Sequence, residues 1–102
     1  MRAIEKEMES IYEEIGDAEK YARAALEEKT SDPETAQLYH RLSQEEMTHM
    51  NLLHQDVVRR IEKYKRDTGN QPPAHMLAVY EFAHRRAIAA AEKVAELQKM
   101  YK

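Results

Sequence analysis

Residues that interrupt regular backbone are almost absent from this sequence, and nearly all of them stand in two places. Among 102 residues there are 2 Gly and 3 Pro, and apart from Gly16 all of them lie in "EKTSDPET" and "RDTGNQPPAH". The stretches between are too long for strands and are free of helix breakers, which leaves long helices as the fold element. At the first interruption Ser31 or Asp32 can cap a new helix, and Pro33 suits its first turn. At the second, Gly69 suits a helix C-cap, and Pro72–Pro73 end one element and start the next. The spacing predicts helices over about 2–29, 33–67 and 74–100.

Each segment repeats its apolar residues every three or four positions. The first carries Ile4, Met8, Ile11, Ile15, Ala18, Ala22 and Ala25. The second carries Tyr39, Leu42, Glu46, His49, Leu53, Val57, Ile61 and Tyr64. The third carries Leu77, Tyr80, Ala83, Ala87, Ala91, Val94 and Leu97, small enough for close helix approach. Every stripe needs a partner surface. The short connection near Asp32 makes the first two helices an antiparallel hairpin. An all-α fold of one domain follows, a helical hairpin plus a third helix. Because three helices cover one another incompletely, a four-helix-bundle core completed by dimerisation is expected.

Composition narrows the function. With no Cys, thiolate metal sites and cysteine nucleophiles are excluded. The net charge of −3, with basic and acidic residues interspersed, offers nothing to nucleic acid. No apolar run approaches the roughly 20 residues of a membrane span, and "MRAIEKEMES" does not read as a signal peptide. A soluble, cytoplasmic-type protein is expected.

The chemistry lies in "QEEMTHM", residues 44–50. Glu46 and His49 occupy the row that otherwise carries Leu42 and Leu53, where polar groups are costly unless they are paired or ligate something. Residues three apart on a helix share a face, so Glu-x-x-His can hold iron, manganese or zinc. Alone the motif is weak. With glutamate at about one residue in seven, five histidines yield roughly 0.7 such matches by chance. A second match, Glu81/His84, stands on the third helix. Position adds specificity. Glu46 and His49 lie roughly 20–24 Å along the second helix at 1.5 Å per residue, and the same height on the first falls near Glu14. Two copies of one Glu and one Glu-x-x-His make up the ligand set of di-iron carboxylate bundles, and the isologous interface of a two-fold dimer brings such halves together.

"EIGDAEKYARAA" followed by "DPETAQLYHRLSQEEMTHMNLL" resembles the first helical pair of the ferritin-like superfamily, as in rubrerythrins and encapsulated ferritins, over about residues 10–60. Glu14 stands seven residues before Tyr21, and Glu46/His49 follow some thirty residues later, as in that family. The resemblance implies Glu14, Glu46 and His49 as iron ligands, Glu46 bridging two metals, in a ferroxidase whose di-iron site forms between two chains. It further implies a homodimer or a multiple of dimers, and an encapsulating shell as a partner. The chain lacks the cysteine-ligated iron domain of rubrerythrins, and it ends at "LQKMYK" without the apolar targeting peptide of encapsulated ferritins. Its long third helix exceeds what that family leads one to expect.

Two other functions fit the same residues. One is a non-catalytic site for zinc or manganese, or for calcium at the surface. The other is a metal-free helical assembly protein in which Glu46 and His49 form a buried pair that specifies register. Around the site, Tyr21 is expected either to support a ligand carboxylate or to sit at the core edge. Glu45 is expected to face solvent or a rim salt bridge, Glu7 and Asp56 to lie on a solvated face rather than line an entry path for cations, and His40 and His54 to lie at the surface. His84 is expected as a packed histidine, and Gly16 marks either a close helix crossing or a tolerated defect.

Overall fold

Each helix boundary has a local chemical cause. The computed structural model describes residues 2–102 and contains α1 (Arg2–Glu28), α2 (Pro33–Thr68) and α3 (Ala74–Met100), in agreement with the sequence expectation to within one residue. Asp32 caps α2. Its carboxylate accepts the backbone N–H of Thr35 at 3.2 Å and the Thr35 hydroxyl at 2.9 Å, with Pro33 beside it in the first turn. These bonds, the backbone N–H first, hold the Asp32 carboxyl below its usual range. At the other end Gly69 turns left-handed at φ 70°, and its N–H donates to the Lys65 carbonyl at 2.9 Å. A side chain would be strained there, which explains the glycine.

The cross-helix contacts set the topology. Glu7 meets Arg60, Ala18 meets Ser43, and Tyr21 meets Tyr39, so α1 and α2 run antiparallel. On α3, Ala83 meets Tyr12 and Lys93 meets Glu19, so α3 runs parallel to α1. The result is a rod of 57 × 18 × 18 Å in which α3 packs chiefly on α1 and meets α2 lightly. No helix among the described residues is long and apolar enough to cross a membrane.

The buried face of α1 is Ile4, Ile11, Ile15, Ala18, Ala22 and Ala25, the stripe seen in the sequence, with Met8 half-buried. The buried row of α2 differs from expectation. It runs through Ala36, Ser43 and Val57, with Met47, Met50, Leu53 and Ile61 packed partly against it. Leu42, Glu46 and Tyr64 are half-buried at its edge, and His49 lies outside it. From α3 only Val94 is fully buried. Complete burial of Val57 and of Val94 stabilises by about 1.5–3 kcal/mol each. At the level of Ser43 the three helices are tied by polar bonds. Its hydroxyl donates to the Ala18 carbonyl at 2.7 Å and accepts from the Gln98 amide at 2.9 Å. A fully buried hydroxyl is thereby satisfied on both sides, as burial requires.

Leu38, Leu52, Val58, Val79, Phe82, Ile88 and Met100 remain exposed. Gly16 is exposed too, and a Cβ added there would meet nothing within 4 Å, so no close crossing explains it.

Candidate metal centre

Antiparallel pairing brings Glu14 of α1 level with Glu46 and His49 of α2. Each of the three offers a ligand atom, and these atoms lie within 4.8 Å of one another, the sole such group of three or more among the described residues. His49 Nδ1 stands 3.5 Å from Glu14 Oε2. That oxygen is buried and has no hydrogen-bond donor while both carboxyls are ionised. A buried carboxylate oxygen left without a partner is costly, and a proton or a cation would relieve it. The His49 side chain is 55% exposed and that of Glu14 26%, so the group sits at the rim of the hairpin rather than in its core.

Of the two carboxyls, Glu46 is the one held toward its protonated form. The Glu46 carboxyl is pushed up to about 7, first by the hydrogen bond its protonated form makes to Glu14. Burial comes next, then the negative charges of Glu14 and, more weakly, Asp17, while His49 pulls the other way. Two like charges at close range cannot both ionise freely without a counter-charge. A divalent cation here would supply that charge and displace the proton. Carboxylate oxygens with one imidazole suit iron, manganese or zinc. The residues present therefore fit such an ion.

The site occupies the face that α3 leaves open. On α2, Ser43 and His54 meet α3, and His40 meets Tyr101 just beyond its end. At about 100° per residue, His49 lies roughly 140° around the helix from His54 and half a turn from His40. On α1, Glu14 lies roughly 160° around from Tyr12, which bonds α3. The exposed Leu38 and Leu52 flank His49 on the same side of α2.

Flanking layers follow one heptad away on each side, about 10 Å along the axes. Toward the α1–α2 turn, Tyr21 and Tyr39 stack with centroids 6.0 Å apart. Tyr21 is thus a core-edge aromatic engaged with Tyr39. Toward the far end lie Glu7 and Asp56, expected on a solvated face. Instead the Glu7 side chain is only 15% exposed and pairs with Arg60 Nε at 2.6 Å, while Asp56 takes Arg59 at 2.7 Å and Arg60 at 3.1 Å. Hydrogen bonding, first from Arg59, holds the Asp56 carboxyl near about 2, and burial raises that of Glu7. The cation of this layer is a guanidinium from the chain itself. Glu45 pairs with Arg41 at 3.1 Å at the rim, as the sequence led us to expect.

The second Glu-x-x-His does not form a cluster: Glu81 is exposed, and His84 turns inward to stack between His54 (5.0 Å) and Tyr80 (5.6 Å). His54 and His40 are not surface residues. Both are half-buried, His54 against His84 of α3 and His40 against Tyr101, just past the end of α3, at 4.4 Å. The signal for His54 was its place one turn after Met50 and three residues before Val57, on the buried row. No family model, curated protein or solved structure matches the chain.

Proposed function

We propose that this is a ferritin-like metal protein in which Glu14, Glu46 and His49 of each chain form half of a di-iron site, completed by a second chain across the open face. The observation that carries this proposal is the meeting of three ligand atoms within 4.8 Å around a buried, unpartnered Glu14 oxygen. The uncovered apolar surface beside it, Leu38 at 53% and Leu52 at 59% exposure, supports the second chain. A C₂ pairing would place four carboxylates and two imidazoles around one centre.

Fe(II) is the substrate: two ions, one from each half, would give the two electrons that reduce dioxygen to hydrogen peroxide with uptake of two protons. The chain's own groups bind and orient. Glu14 and Glu46 supply anionic oxygens that favour the higher oxidation state by charge. His49 supplies a neutral nitrogen from the rim. The proton that Glu46 holds leaves on metal binding, so loading releases acid.

The test is anaerobic Fe(II) loading of the purified protein, elemental analysis of the dimer fraction, then addition of oxygen. About one iron per chain, lost in Glu14→Ala and in His49→Ala with helicity intact, is the expected result. Retention of iron by both variants would overturn the assignment. Binding with no spectral change on oxygen would leave a non-redox zinc or manganese site, which the same ligands suit.

A further inference from the structure

A second group of titratable side chains lies on the opposite side of the hairpin from the metal centre. Between α1, α2 and the N-terminal half of α3 is a cavity of about 190 Å³, lined mainly by apolar side chains such as Met8, Ile11, Met50 and Val57. His54 enters it from α2 and His84 from α3, their rings stacked 5.0 Å apart and 20° from parallel. Tyr80 stacks on the far side of His84. The His54 Nε2 is buried and has no hydrogen-bond partner. Here a neutral ring leaves a weak acceptor unpaired. A protonated ring would bury an N–H cation with nothing to receive it, beside a second imidazole.

No facing group compensates that charge. From α1 the titratable neighbour is Tyr12, whose hydroxyl already donates to the Ala83 carbonyl at 3.0 Å. From α3 come Tyr80, kept neutral by burial, and Arg86, whose guanidinium lies 5.4 Å from the Tyr12 ring centroid. Among the described residues no carboxylate lines the cavity. Arg86 adds positive charge rather than relieving it.

The helix above the cavity is the weakly held part of the rod. The fully buried Val94 and the Gln98–Ser43 bond belong to the C-terminal half of α3, and the Tyr101–His40 stack lies just beyond it. The N-terminal half has no fully buried residue and begins without a side-chain cap after the turn at Gly69. Sparse burial of this kind marks segments that open locally.

We propose that the His54–His84 junction is an acid-released latch, whose protonation lifts the N-terminal half of α3 off the α1–α2 hairpin and opens the cavity. Burial, followed by the nearby His84, holds the docked His54 ring below its ordinary 6.5. The open state therefore binds protons that the docked state excludes. Docking is complete above 6.5 and weakens as pH falls through that value. Each proton taken up raises the opening constant by up to about ten-fold per pH unit.

The experiment is amide hydrogen exchange of the full chain in EDTA at pH 7.5 and pH 5.5, corrected for the intrinsic pH dependence of exchange. In the wild type the opening constant of residues 74–91 should rise several-fold, up to about ten-fold, at the lower pH, while that of residues 11–25 changes far less. His54→Leu and His84→Leu should each reduce this acid response, and Glu46→Gln should retain it, which separates the latch from the metal centre. Equal protection of 74–91 at both pH values in the wild type, or an undiminished acid response in both histidine variants, would overturn the proposal. Should a histidine variant fail to fold, the wild-type imidazole proton resonances decide. A His54 midpoint below 6.5 supports the latch, and midpoints of both rings at or above it refute it.

Discussion

His49 Nδ1 of α2 lies 3.5 Å from Glu14 Oε2 of α1, thirty-five residues apart in sequence and level along the hairpin. The register that brings them together is set elsewhere, by the buried Ser43–Ala18 bond and the Arg60–Glu7 pair on either side. The geometry of the Glu14, Glu46 and His49 cluster is therefore carried by contacts that need no metal.

The raised Glu46 carboxyl gives the metal-free protein a distinctive pH dependence. Because folding raises the Glu46 carboxyl from 4.5 to about 7, its contribution is fully present below 4.5 and is lost as pH rises through about 7. In EDTA, the stability difference between wild type and Glu46→Gln, read from urea midpoints at pH 5 and pH 8, should shift against the wild type at the higher pH. A difference independent of pH would mean that folding does not raise the Glu46 carboxyl.

Metal should reverse that trend. A bound divalent ion takes the place of the Glu46 proton, so apparent affinity should rise with pH through about 7. Titration with Mn(II) at pH 6 and pH 8 reads this directly. Glu46→Gln, which has no proton to release, should bind more weakly and with a flatter pH profile.

If a second chain covers the open face, Leu52→Glu should disrupt association while leaving the hairpin folded. Leu52 is 59% exposed in the single chain, so the substitution costs the monomer little. Sedimentation should show a shift toward monomer, with far-ultraviolet dichroism unchanged. Unaltered association would place the interface on another surface.

Ser43→Ala removes a hydroxyl that is fully buried between three helices. The Gln98 amide loses its acceptor, and the cost should be about 1–2 kcal/mol in a urea titration. Gly16→Ala has the opposite sign. The position is exposed, helical and sterically empty, so the variant should be more stable by about 1 kcal/mol.

Helix number and helix ends were legible in the sequence because their causes are local. The Asp32 cap, the Pro33 start and the left-handed Gly69 stop act through bonds a few residues long, and these boundaries can be read without knowing any partner. The height match of Glu14 with Glu46 and His49 was also legible, since a short turn and a fixed rise per residue leave little freedom in register. Which way each side chain faces was decided by tertiary structure. The apolar repeat of α2 is broad enough to admit two adjacent rows. Packing of α1 and α3 selected Ala36, Ser43 and Val57 for burial and left Glu46 and His49 at the rim. For the same reason His40 and His54 read as surface residues, whereas His84 of α3 and Tyr101 just beyond it lay their rings against them. Periodicity is a property of one helix, and burial is a property of the helices that meet it.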